Sequence, residues 1–190
     1  MEYRIIRDAL VVEGEFNALS SGLLGGWRDV KAIFNHTVSD DFERYDPVEY
    51  LRGVASELGF RDDEYFGLLT SVPMDKLAVV SADEVTAFIT AGVKNPNEPL
   101  KTPGTINIIL VIDADVSDGG MVNAVITATE AKSAALFELG HRFTGTNTDA
   151  IVVARTGKGR KYKYSGPASE LGRKIWRAVK NGVKESLGKW

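Results

Sequence analysis

Short apolar-rich runs punctuated by turn residues open the chain. Tyr3–Val12 and Glu15–Leu19 read as two strands around a hairpin turn at Glu13-Gly14. Ser20–Gly26 is a glycine-rich loop of small residues, and Val30–Val38 is the next strand. The pattern then turns helical. Asp46 is placed to cap, Pro47 suits a first helical position, Glu49 sits at capping-box spacing, and Gly59 closes the helix. A second helix is expected over Asp62–Ser71, stopped by Pro73. Leu77–Ser81 and Val85–Val93 form a strand pair turning at Ala82-Asp83, and residues 94–103 form a loop containing proline and asparagine. Thr105–Asp113 is the most apolar strand, dense in β-branched residues, and is predicted to be central. Asp118–Leu139 is the longest helix, closed by Gly140, and Ala150–Arg155 is a last buried strand. After a basic loop over 156–166, Leu171, Ile175, Ala178, Val179, Val183 and Leu187 recur at helical spacing through Glu170–Leu187.

Strands outnumber helices, yet residues 105–155 form a strand–helix–strand unit. The expected class is α/β or α+β: a mixed β-sheet with flanking helices, one domain over residues 1–190. The 44% hydrophobic content suffices for a core. No cysteine and only two histidines, His36 and His141, exclude disulfides, thiolate nucleophiles, Cys-bound zinc and a multi-histidine metal site within one chain. No metal ligand set and no cofactor are assigned. No run approaches the ~18 apolar residues of a membrane span. The N-terminal residues lack a leader pattern, so a cytoplasmic protein with no membrane partner is expected.

The net charge is 23 − 26 = −3, unevenly placed. Residues 1–154 carry 12 − 24 = −12 and residues 155–190 carry 11 − 2 = +9. A basic end fits an anionic ligand, nucleic acid or a membrane surface, or else a basic helix docked on its own acidic body or simply solvated. The amphipathic pattern favours the docked or solvated helix, so no nucleic-acid partner is expected. A homo-oligomer is left open.

Candidate chemistry falls on few residues. Val122, Val125, Ile126, Thr127 and Thr129 are mediocre helix formers, so the long helix is expected to be held by burial. Asn123, Thr127 and Glu130 lie at i, i+4 and i+7 on one of its faces, either satisfied internally or lining a site. Residues 144–149 gather hydroxyls, a glycine and a carboxylate. They make either an ordinary turn or a donor-rich loop with Thr146 or Thr148 as nucleophile and Asp149 orienting it. Asn107, inside the apolar strand, is a core hydrogen-bond hub or an oxyanion donor. Asp113, Asp115 and Asp118 suit an oxygen-ligated metal, but exposed loop acids with Asp118 capping the long helix are the plainer account. The basic, tyrosine-containing run 157–164 lacks the Lys-Ser/Thr ending of a P-loop.

The order of particular segments goes further. Ser20–Gly26, Thr90-Ala91-Gly92-Val93, Gly104–Ile109, 121–136, 144–154 and Tyr164-Ser165-Gly166 followed by Leu171-Gly172 resemble the adenosylcobinamide amidohydrolase family over roughly residues 20–185. The resemblance implies hydrolysis of the amide between the corrin side chain and aminopropanol of a small-molecule corrinoid, giving adenosylcobyric acid and 1-amino-2-propanol in cobinamide salvage. For such a reaction, Glu130, buried on its helix, is the expected general acid or base, and Asn107 and Asn123 are the expected donors to the amide oxygen. Thr146 and Asp149 complete the catalytic set, and Ser20, Ser21, Gly22, Thr90, Gly92, Thr127, Thr144 and Thr148 are expected substrate contacts. Leu23, Leu24, Trp27 and Met121 are candidate wall residues. The rivals are a non-catalytic corrinoid-binding protein, a phosphate or nucleic-acid binder using the basic C-terminal region, and a metal hydrolase using the three aspartates.

Overall fold

The computed structural model describes residues 1–93 and 104–190; the expected loop 94–103 lies outside them. The elements are β1 (Glu2–Ile6), β2 (Ala9–Ser20), β3 (Gly26–Thr37), α1 (Pro47–Leu58), β4 (Tyr65–Thr70), β5 (Ala78–Ala82), β6 (Val85–Ala91), β7 (Ile106–Ile112), β8 (Asp115–Val116), α2 (Asp118–Glu138), β9 (Ala150–Arg155), β10 (Lys161–Tyr162) and α3 (Glu170–Gly188). The main sheet runs β4-β3-β2-β9-β7-β6-β5, with β1 paired to the first half of β2. Two pairs are parallel, β3 with β4 and β7 with β9, and a helix bridges each: α1 the first, α2 the second. The rest of the sheet is antiparallel, which makes it mixed, and β8 and β10 form a separate parallel pair.

Side chains alternate faces along a strand, so β7, buried throughout, feeds two cores. Ile106, Ile108, Leu110 and Ile112 point outward against α2 and α3, together with Val85, Ala87 and Ile89 of β6. Ile109 and Val111 point to the other face, where Leu10, Ile33, Phe66, Phe88 and Val152 gather. A third cluster lies under α1, around Phe34, Leu51 and Tyr65. β3 and β7 are separated in the sheet by β2 and β9, yet Asn35 and Asn107 hydrogen-bond across the inner face. The sheet must therefore curl around its inner core.

Two expectations are corrected. The first hairpin turns at Arg7 and Asp8, both in the left-handed region at φ 50° and 57°, the backbone of a tight primed turn. β2 runs straight through Glu13-Gly14, where its pairing with β3 shifts register between Glu13 and Phe16. The glycine marks a bulge, not a turn. Residues 62–71 do not form a helix: Tyr65–Thr70 is strand β4, buried at five of six positions. A strand covered on both faces reads as an unbroken apolar run, which periodicity cannot tell from a buried helix.

The cap expected of Asp118 is also corrected: Ser117 caps α2, its hydroxyl accepting the Gly120 N–H, and Asp118 is the first helical residue. At α1 the capping expectation agrees with the structure. Asp46 accepts from Val48 and Glu49 N–H at the start of α1, and Gly59 at φ 89° ends it. α2 is held by burial, with Ala124, Ala128, Ala131 and Ala135 on its core face. The basic α3 docks through Lys174 to Glu84 (2.9 Å) and through Lys180 and Lys184 to Glu138 of α2. No described helix is long and apolar enough to cross a membrane.

Candidate active site

The loop before β9, the first residue of β7 and the middle of α2 converge on Asp149. Its Oδ1 accepts the Ile106 N–H (2.9 Å) and the Thr146 hydroxyl (2.6 Å), and its Oδ2 accepts the Lys132 ammonium (2.5 Å). The Lys132 and Asp149 side chains are only 11% and 15% exposed. At that burial either charge alone is costly, so the pair stands or falls together. Gly145 makes room for it. A Cβ there would sit 2.3 Å from Asp149 Oδ2 and 2.5 Å from Lys132 Nζ.

A carboxylate offers about four acceptor positions and an ammonium three N–H groups. Both positions on Oδ1 are occupied, one on Oδ2 is taken, and Lys132 has no partner but Asp149 among the described residues. The pair thus presents one acceptor and two donors side by side.

They face open space. A cleft of about 440 Å³ is walled by Leu23, Phe42, Leu69 and Thr148, with Asp149 at its edge. A smaller cleft of about 220 Å³ is lined by Ile106, Ile108, Thr129, Lys132 and Ile151. The two share Ser21, Asp149 and Ala150 as a common wall. Ser21 is locked there: its N–H donates to the Ile151 carbonyl and its hydroxyl accepts the Ile151 N–H, both at 3.0 Å. Next to it, the Ser20 hydroxyl accepts the Gly22 N–H.

The expected site residues divide. Asp149, Ser21, Gly22 and Thr148 line the clefts, and Thr146 stands behind Asp149, donating to it. Thr148 donates weakly to the Gly104 carbonyl (3.4 Å), and the Thr144 carbonyl accepts from Ser133. Asn107 is the hub, not the oxyanion donor. Both of its N–H groups are committed, to Asn35 Oδ1 and to the Leu69 carbonyl, each at 2.8 Å, and its Oδ1 accepts from Thr105. Asn35 in turn donates to Thr90 (2.9 Å), so these inward polar residues satisfy one another inside the curled sheet.

Asn123, Thr127 and Glu130 are not brought to Asp149. The buried Thr127 hydroxyl donates to the Ser165 carbonyl (2.8 Å), and the Asn123 side chain lies beside Gly166. Glu130 is exposed, so the burial expected of it is missing. Gly92 packs by Val72 and Trp190. Of the wall candidates, Leu23 lines the large cleft, while Leu24 packs under α1, Met121 is core and Trp27 donates to Asn17.

The three aspartates do not converge. Asp113 accepts from Thr156, Asp115 pairs with Lys161 and Asp118 with Arg155. Among the described residues no group of three or more His, Asp or Glu side chains is arranged to hold a metal. His36 lies elsewhere, against the Tyr50 hydroxyl (3.3 Å); burial pushes its pKa down, opposed by Asp8 and Glu57.

Lys132, Asn35 and Thr105 escaped the sequence reading. Lys132 left a signal: it falls four residues after Ala128 on the alanine face of α2, where an unpaired lysine would be anomalous.

Comparison with known proteins bears out the family resemblance read from the sequence. The family model described as adenosylcobinamide amidohydrolase matches residues 5–190. An adenosylcobinamide amidohydrolase of Methanosarcina mazei is 43% identical over 196 residues, covering 98% of this chain and 98% of its own. One from Halobacterium salinarum is 31% identical over 184 residues, covering 89% and 79%. An uncharacterised protein of Methanocaldococcus jannaschii is 34% identical over 206 residues, covering 85% and 78%.

Proposed function

The chain belongs to the adenosylcobinamide amidohydrolase family, and from that premise we propose that it hydrolyses the amide joining the aminopropanol arm to the corrin ring of adenosylcobinamide. The products are adenosylcobyric acid and 1-amino-2-propanol. The observation that carries this assignment to a place in the molecule is the Asp149–Lys132 pair on the wall between two clefts.

Amide hydrolysis needs a base for water, donors for the oxyanion and a proton for the leaving nitrogen. Asp149 Oδ2 has an acceptor position left, and in this scheme it takes one proton from water as the oxygen attacks the carbonyl carbon. The ammonium of Lys132 stabilises the negative charge that moves onto the carbonyl oxygen. When the C–N bond breaks, its electron pair stays on nitrogen, and the proton held by Asp149 goes to that nitrogen. Water has then supplied OH to the acid and H to the amine, and Asp149 is again a carboxylate. Thr146 and the Ile106 N–H hold the carboxylate in position. Thr148, Ser21 and Gly22 offer contacts to the substrate's rim of amides.

Incubation with adenosylcobinamide, followed by mass spectrometry, tests the assignment. Release of adenosylcobyric acid and aminopropanol supports it. Tight binding with no product points to the corrinoid-binding alternative.

A further inference from the structure

The two clefts differ in size and character, and Asp149 lies where they meet. The larger is broad and mostly apolar, with Leu23, Val38, Phe42, Leu68 and Leu69 in its walls. The smaller is half the volume, and its lining mixes the aliphatic Ile106, Ile108 and Ile151 with the hydroxyls of Ser21 and Thr129 and the Lys132–Asp149 pair. A molecule cleaved at Asp149 has room for one side of its scissile bond in each.

We propose that the smaller cleft, between Thr129 and Lys132 of α2 and the Ser21–Ile151 wall, is a binding subsite for the amino-alcohol leaving group. The inference rests on the hydrolase reading above and deepens it by assigning the two halves of the substrate. A flat macrocycle does not fit about 220 Å³, whereas a short amine bearing a hydroxyl and a methyl does. Ile151, the partly exposed isoleucine of this lining, meets the methyl group, and the buried Ile106 and Ile108 back it. The Thr129 hydroxyl donates to the Val125 carbonyl (2.8 Å) and the Ser21 hydroxyl accepts the Ile151 N–H (3.0 Å), so each oxygen keeps an acceptor position for the proton of the substrate hydroxyl. After cleavage the proton of the new carboxylic acid passes to the amine, leaving a carboxylate and an ammonium, and Asp149 supplies a charge opposite to the ammonium. The corrin rim then occupies the larger cleft.

The subsite sets leaving-group selectivity. A Thr129→Trp substitution places an indole at the smaller cleft from an exposed helix position. Hydrolysis of adenosylcobinamide should fall at least about tenfold in kcat/KM, while affinity for adenosylcobyric acid, which lacks the arm, is unchanged. Free 1-amino-2-propanol should inhibit the wild-type enzyme more strongly than an amino alcohol with a phenyl group in place of the methyl; this measurement needs no variant. Wild-type kcat/KM in folded Thr129→Trp, equal loss of adenosylcobyric acid binding, or equal inhibition by the two amines overturns the subsite. Failure of the wild-type protein to hydrolyse adenosylcobinamide overturns the hydrolase reading itself, a separate result.

Discussion

At the scale of single residues, the same side chain is chemistry or scaffold depending on whether its donors are already committed. Asn107 stands in an apolar strand, as its sequence position promised, but a buried amide flanked by acceptors has no N–H left for a substrate. Asn107→Leu should destabilise the protein by about 2–4 kcal/mol, because Asn35 Oδ1 and the Leu69 carbonyl lose their donor in a dry interior. Denaturant unfolding measures this, and the folded variant should retain turnover. Glu130 is exposed and borders neither cleft, so Glu130→Gln should turn over close to wild type; a collapse of kcat would return it to the catalytic set. Gly145→Ala places a methyl against the ion pair, so kcat should fall with little change in corrinoid affinity. Asp149 and the threonines were legible because carboxylate and hydroxyls cluster in six residues. Lys132 and Asn35 were not. Their partners are 17 and 72 positions away, and no local pattern encodes that distance.

At the scale of elements, local signals located what local physics decides. The Asp46 cap, the Gly59 stop and the amphipathic α3 were all readable, because each is fixed by backbone groups or side chains within a few residues. β4 was misread because burial on both faces erases its alternation, and only its pairing with β3 settles the matter. The basic charge on α3 finds its counterpart on the body it covers. Glu84 is held below the ordinary carboxylate range: burial works against this, but hydrogen bonds from Tyr162 and Lys174 prevail. A lowered carboxylate contributes stability above its unfolded value and loses it as pH falls through the folded one. The stability gap between wild type and Glu84→Gln should therefore be full at neutral pH and shrink as pH drops below the unfolded value of 4.5. Thermal unfolding across that range checks it; a gap that widens in acid would contradict the assignment.

At the scale of the whole molecule, the curl of the sheet and the crossover of α2 bring β7, β9, the 20–25 loop and α2 to one wall, with space on both sides of it. That arrangement sets a charged pair between a large apolar cleft and a small mixed one, where the proposed reaction cleaves an amide that spans both. The resemblance of the chain's segments to the amidohydrolase family was readable in sequence; the division of the site into two clefts was not, because it depends on how distant elements pack. The most direct test is Asp149→Asn, which keeps the size of the side chain and an acceptor for the Ile106 N–H but removes the base and the negative charge facing Lys132. Turnover of adenosylcobinamide should drop by about 10²–10⁴-fold while corrinoid binding persists. A folded Asp149→Asn protein that hydrolyses adenosylcobinamide at the wild-type rate would contradict the account.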